Sequence, residues 1–349
     1  MRGLLLSAYA ATSHKHWAEG IREWLDDIDW QVLSLPARHF AWRIRGNPLS
    51  WMLREGEALS RHYDVILATS MVDLATLLGL HPHLASARKV VYFHENQFAY
   101  PASPAQGSRV GPQMVNLYTA LAADEVIFNT AYNRDTFIDG ARAMLKRMPE
   151  NLPAHAPLEA LRQRARVLPV PIAKANRRRP AMPDLIVWNH RWEYDKNPES
   201  FFTGLFELAE RGVAFRLAVM GQRFADWPRI FDEARQRLSQ QLVCWGPQSA
   251  EAYHDWLDQG AMVVSTADHE FQGLAVMEAV QRGCVPLVPD RLCYPELYEA
   301  SFRYADDQAM IERLESWLTS PGSRPHPPVT DGWTWPSLQP AYRQVLNAD

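Results

Sequence analysis

The chain predicts an α/β protein made of two halves, each built from strand–loop–helix units. Three observations carry this. Short apolar runs of strand length alternate with segments whose apolar residues recur at helical spacing along all 349 residues. Prolines and arginines gather near the middle, at Pro169, Pro171 and residues 176–180, as they do in a linker. The pattern of strand, polar loop and helix then restarts. The expected organisation is a Rossmann-like domain over 1–175, a second over 183–330 and a closing helical segment over 331–349.

The length suffices for two ordinary domains, and 47% hydrophobic with 22% charged residues describes a well-cored globular chain. A formal net charge of −4 excludes nucleic-acid binding by overall charge and leaves only a local basic face. Cys244, Cys284 and Cys293 are odd in number and lack metal-ligand spacing, which fits a reducing compartment. The apolar run after Met1 is very short and a helical pattern follows at once, so a first buried strand accounts for it better than a signal peptide. No run approaches the ~18 apolar residues of a membrane span. Neither GxGxxG nor a Walker motif is present, so dinucleotide binding and phosphate-loop chemistry have no support.

In the first half, residues 3–10 read as a strand and Ala11, Thr12, Ser13 and His14 as a tight loop. Trp17, Ile21, Trp24 and Leu25 then recur at helical spacing, which sets a helix N-terminus at the carboxyl edge of the sheet. From 33 to 51, strand-like residues lead into a stretch with Arg38, His39, Phe40, Trp42, Arg43 and Arg45. Such a patch takes phosphates by charge and bases by stacking. Packed aromatics with arginine heads reaching to water give the same pattern. Strands follow at 63–69 and 89–93, the second ending in His94, Glu95, Asn96 and Gln97, then Tyr100 and Pro101. Polar residues directly after a buried strand are well placed to face a cleft, although a lone histidine is also a common structural residue. A helix with Met114, Leu117, Tyr118 and Leu121 leads to a strand at 125–128. The proline-rich stretch 149–157 reads as a loop, and Arg162, Arg164 and Arg166 precede one more strand.

The second half opens with a strand at 184–188 and a loop that holds both Arg191 and Lys196. Pro198 suits the first turn of the helix that follows, with Phe201, Phe202, Leu205 and Phe206. Two cations in one strand-to-helix loop can grip a diphosphate, arginine by its fork and lysine as a point charge; an ordinary charged surface loop looks the same. Strands at 215–220 and 243–246 come next, the latter ending at Gly246 and Pro247 in a position suited to wall a nucleobase. A helix at 250–258 leads to a strand at 261–264, a further strand follows at 286–288, and 332–346 reads as an amphipathic helix.

The chain is organised around residues 265–279. A polar loop leaves the 261–264 strand, carries Glu270, passes Gly273 and opens into a helix that carries Glu278. Free amides at Gly273 and Leu274 make an anion site at the helix N-terminus. An acid, an anion hole and an acid suit a molecule with a diphosphate in its middle, such as a nucleotide sugar. Two glutamates eight residues apart also arise by chance. A glycosidase pair fits less well: about 12 Å along a helix axis at ~1.5 Å per residue exceeds the roughly 5–9.5 Å of such carboxylates.

With the Arg191/Lys196 loop, this pair resembles family 4 glycosyltransferases of the GT-B fold, two Rossmann-like domains facing each other across a cleft with a C-terminal helix crossing back to the first. More narrowly, Ser13-His14-Lys15, Leu35-Pro36-Ala37, Tyr92-Phe93-His94-Glu95-Asn96-Gln97, His190-Arg191-Trp192-Glu193, Asp195-Lys196, Pro198-Glu199-Ser200-Phe201-Phe202 and His269-Glu270-Phe271 resemble the tRNA-queuosine mannosyltransferase family. The resemblance implies retaining transfer of mannose from the co-substrate GDP-mannose to queuosine in the anticodon region of tRNA. It implies no cofactor, no catalytic metal, a cytoplasmic location and no stable membrane association. Carried onto this chain, Arg191 and Lys196 bind the diphosphate with the amides of Gly273 and Leu274. Glu278 takes the ribose, Glu270 the sugar hydroxyls, and His94 reaches the sugar from the first domain. Ser13, His14, Gly246 and Pro247 complete the donor set; Glu95, Asn96, Gln97, Arg38, Trp42, Arg43 and Arg45 form the acceptor set. One departure stands out: the first loop reads Ala10-Ala11-Thr12, where this fold often carries a glycine pair for close approach to phosphate. Two other readings remain open at this point, a family 4 enzyme with another nucleotide sugar or a saccharide or lipid acceptor, and a tRNA- or nucleotide-binding protein without catalysis.

Overall fold

The computed structural model describes residues 1–100, 110–150, 153, 155–224 and 227–347. The chain divides into two compact units, Met1–Pro171 with Trp335–Asp349, and Ile172–Thr334.

The first unit holds six parallel strands: β1 (Arg2–Ala10), β2 (Asp29–Pro36), β3 (Val65–Thr69), β4 (Arg88–Phe93), β5 (Glu125–Phe128) and β6 (Ala165–Val167). Their order is β2-β1-β3-β4-β5-β6. The second unit repeats the plan with β7 (Leu185–Trp188), β8 (Arg216–Val219), β9 (Leu242–Trp245), β10 (Met262–Val264), β11 (Val285–Pro289) and β12 (Arg303–Tyr304), in the order β12-β11-β10-β7-β8-β9. Every pairing in it is again parallel. Parallel strands covered on both faces read as unbroken apolar runs rather than alternating ones, and β3, β7 and β11 are buried at every residue.

The strand order reverses at one point in each sheet. In the second unit the chain runs outward from β7 through β8 to β9, then returns to place β10 on the other side of β7. In the first, β1 is flanked by β2 and β3. Loops leaving the carboxyl ends of strands at such a point diverge and leave a crevice where ligands of open α/β sheets bind.

The unit boundary corrects the expected linker. Ile172 forms a parallel bridge with Thr334, and its amide donates to the Trp333 carbonyl at 2.9 Å. Arg177 donates to the carbonyls of Arg282 and Gly260 at 2.8 and 2.9 Å. Residues 172–182 therefore line the second unit instead of spanning free space, and so do 331–334. The helix Trp335–Leu346 packs in the first unit. The Trp17 indole donates to the Tyr342 hydroxyl at 3.1 Å, and Arg88 Nε to the Val345 carbonyl at 3.1 Å.

Two local expectations also change. Helix starts at Thr12 with Ala11 as its extended N-cap, so Thr12 to His14 belong to the first helical turn and not to a loop. The 33–51 stretch contains a helix, Phe40–Arg54, despite Gly46 and Pro48 within it; the buried Asn47 side chain holds that region by donating to the Arg43 and Met71 carbonyls. In the proline-rich stretch, residues 151, 152 and 154 lie outside the described residues, as does Pro101, and a helix begins at His155.

Candidate functional site

The second unit gathers its polar groups at the reversal between β7 and β10. Asn189, His190 and Arg191 follow β7, and Ser265 to Gly273 follow β10. Asn197 takes a left-handed conformation (φ 47°) and accepts from the Ser200 amide, which starts the helix Pro198–Glu210 and ends the loop carrying Arg191 and Lys196. Gly273 is the N-cap of the helix Leu274–Gln281 at φ 73°, a conformation that glycine adopts without a Cβ penalty.

Lys196 is buried. Its ammonium donates to the His269 carbonyl at 2.8 Å and to Glu270 Oε2 at 3.1 Å, with Asp195 Oδ2 at 3.2 Å. Burial pulls its pKa down, but the Glu270 and Asp195 carboxylates outweigh that and hold it above the ordinary lysine value. Burial acts on Glu270 in the opposite sense; Lys196 and a hydrogen bond from the Gly273 backbone overcome it and bring the carboxyl to about 2. Glu270 Oε1 also accepts from the Phe271 amide at 3.1 Å. The carboxylate thus lies in the field of the helix N-terminus that was read as an anion site. Arg191 is the exposed cation of the loop, 3.0 Å from Glu193 and 3.8 Å from Asp195. His190, buried, has its Nε2 3.1 Å from the Val264 carbonyl; burial, then Lys196, lower its pKa to about 4, so it is neutral at pH 7.

Glu278, inside the helix, accepts from the Tyr253 hydroxyl at 2.8 Å, and that oxygen in turn accepts from Asn189 Nδ2 at 2.9 Å. Neither Tyr253 nor Asn189 was singled out from the sequence. Tyr253 lies 25 residues from Glu278 and 64 from Asn189, and no local spacing links the three. Gly246 (φ 93°) directly follows β9, with Pro247 exposed beside it.

In the first unit His94, at the end of β4, is buried and stacks on His14 from the first helix, ring centroids 4.1 Å apart and planes 23° apart. Trp17 stands perpendicular to it at 4.8 Å. His14 Nε2 lies 3.1 Å from Glu95 Oε2. Burial, then His14, keep His94 well below the ordinary histidine pKa. Ser13 is exposed in the first turn of that helix.

The acceptor set separates into two groups. Arg38, Trp42 and Arg45 are exposed, and Arg45 is 3.8 Å from Asp73. Arg43 is buried on the other face of the same helix, because residues one and two positions apart on a helix do not share a face. Asn96 is fully buried: it donates to Asn133 and Thr136 and accepts from the Phe98 and Ala99 amides, so it builds the loop after β4 and offers nothing to a ligand. Gln97 is also buried, its backbone N–H donating to Asn116 Oδ1 at 2.8 Å. The arginines before the expected linker hold structure as well. Arg164 donates to the Ala120 and Ala123 carbonyls, Arg162 is 3.3 Å from Asp135 and Arg166 3.4 Å from Glu125.

Among solved structures, the fold matches sucrose-phosphate synthase from Thermosynechococcus elongatus (TM-score 0.68, 12% identity, 99% of this chain and 98% of that one). It also matches Anabaena HepE in complex with UDP and glucose (TM-score 0.64, 12% identity, 99% and 96%). Two parallel sheets of this kind define the GT-B glycosyltransferase fold. A family profile described as "tRNA-queuosine alpha-mannosyltransferase N-terminal" matches residues 2–172. A Drosophila melanogaster protein named tRNA-queuosine alpha-mannosyltransferase is 34% identical over 333 residues, covering 91% of this chain and 87% of that protein. The chain belongs to the tRNA-queuosine alpha-mannosyltransferase family, and it is a glycosyltransferase.

Proposed function

We propose that the protein transfers mannose from GDP-mannose to the queuosine nucleoside of tRNA with retention of anomeric configuration. The observation that carries this reading is the 34% identity to the Drosophila relative over 333 residues, which embraces both units. The local chemistry supports it. Arg191 offers its exposed guanidinium to the diphosphate, Lys196 adds the field of its buried charge, and the helix N-terminus at Gly273 and Leu274 adds its dipole. Glu278 receives the ribose hydroxyls and Glu270 those of mannose, with Gly246 and Pro247 at the base.

On the first unit, His94 meets the transferred sugar, Ser13 and His14 assist with the donor, and Glu95, Arg38, Trp42 and Arg45 contact tRNA. His94, held neutral by burial, can share hydrogen bonds with a sugar hydroxyl without adding a charge. The cations stabilise charge that develops on the departing phosphate, and the leaving phosphate oxygen acts as the base. The reaction then needs neither a protein nucleophile nor a metal. Among the described residues no helix is long and apolar enough to cross a membrane, and we place the enzyme with its tRNA substrate in the cytoplasm.

A donor panel tests the reading. GDP-mannose is expected to support transfer where UDP-glucose, UDP-galactose and GDP-fucose do not, and the product linkage is expected to be alpha by NMR. Transfer from a UDP-sugar alone, or a beta product, overturns the donor or the stereochemical assignment.

A further inference from the structure

We infer that Tyr253 and Asn189 form a positioning device for the donor ribose, acting through Glu278; the inference rests on the nucleotide-sugar reading of the second unit. Asn189 sits just past the carboxyl end of β7, beside the strand-order reversal, and is buried. Its amide orientation follows from its neighbours. Nδ2 lies 2.7 Å from the Ala275 carbonyl, which can only accept, so the NH2 group faces that oxygen and Oδ1 faces away. The second N–H of the same group donates to Tyr253 Oη at 2.9 Å. That leaves the phenol proton directed at Glu278 Oε2, 2.8 Å away. The proton order is therefore set along the chain Asn189 to Tyr253 to Glu278.

Three elements meet here: the loop after β7, the helix Ala250–Gln259 and the helix Leu274–Gln281. Burial and the neighbouring Glu278 push the Tyr253 phenol well above its ordinary pKa, so it stays a donor across the working pH range. A hydrogen bond from a neutral donor to a carboxylate is short and directional, and it restricts the rotamers of this helix-borne glutamate. Asn189 Oδ1 is buried and accepts no hydrogen bond among the described residues. The device thus presents a fixed carboxylate to a vicinal diol, which pre-organises the site for ribose rather than for deoxyribose.

The test compares GDP with 2′,3′-dideoxy-GDP by calorimetry on wild type, Tyr253→Phe, Glu278→Gln and the double variant. Wild type is expected to prefer GDP. Tyr253→Phe is expected to lose about tenfold in GDP affinity and almost nothing toward the dideoxy nucleotide. The loss should also vanish in the Glu278→Gln background. Equal losses for both nucleotides, or none for GDP, overturn the inference by making Tyr253 a packing residue. Should Tyr253→Phe fail to fold, Asn189→Ala, which frees the phenol to rotate, is read on the same pair and is expected to lose GDP affinity selectively. Wild-type protein that binds neither nucleotide contradicts the nucleotide-sugar reading itself, a result distinct from either outcome for the variants.

Discussion

The Lys196 ammonium lies 3.1 Å from the Glu270 carboxylate, and both belong to the loops that flank the strand-order reversal of the second sheet. With Asp195 at 3.2 Å on its other side, Lys196 is a buried cation between two anions. Removing one member of a buried pair strands the others, typically at about 3–5 kcal/mol. Lys196→Ala is expected to lower stability by about that amount and also to abolish measurable GDP binding. A variant of near wild-type melting temperature and GDP affinity contradicts the assignment.

Arg191 separates binding from stability. It is exposed, 3.0 Å from the half-buried Glu193 and 3.8 Å from the buried Asp195. Arg191→Ala is expected to weaken GDP and GDP-mannose binding by about 1.5–3 kcal/mol, the range for a hydrogen bond to a charged group. Its urea midpoint should stay unchanged. Calorimetry beside a urea titration checks both halves.

Acid is expected to destabilise the fold in two stages. His190 titrates at about 4 when folded against the ordinary 6.5, so folding favours its neutral form. The stability this represents is complete above pH 6.5 and drains as pH falls toward 4. Burial displaces His94 in the same direction. Glu270 is depressed from 4.5 to about 2, so its share is present above 4.5 and drains between those values. Urea midpoints measured from pH 7 downward should fall throughout, and His190→Asn should flatten the upper stage. A midpoint constant from pH 7 to 4 refutes this.

The tRNA contact is expected on the exposed face of the helix Phe40–Arg54 and the residues just before it. Arg38→Ala with Arg45→Ala should raise the apparent KM for tRNA and reduce its salt dependence, since each lost phosphate contact removes about one unit of slope. GDP-mannose affinity should not change. Arg43→Ala should instead lower the melting temperature, because Arg43 is buried. Kinetics over a salt series that leave the double variant indistinguishable from wild type exclude this face.

The sequence revealed most where chemistry depends on local spacing. Lys196 follows Arg191 within one loop, and Gly273 stands three residues after Glu270; both pairs are read from neighbours along the chain. It revealed least where a tertiary contact decides. Asn96 has the polarity of a cleft residue but spends every donor and acceptor on its own loop and the helix Ala131–Leu145. Arg43 shares the composition of a basic patch, and only the helical phase buries it. The helix itself escaped notice because Gly46, Asn47 and Pro48 are poor helix formers, and packing overrides them. Tyr253 is invisible as a binding-site residue until β7 and its own helix are brought together.

The most direct test of the account is the mass of the queuosine nucleoside after incubation of queuosine-containing tRNA with the purified protein and GDP-mannose. The account predicts a gain of one hexose on queuosine, absent when GDP-mannose is omitted and absent from tRNA lacking queuosine. Unmodified queuosine with an active donor and intact tRNA, or a hexose found on a different nucleoside, would contradict it.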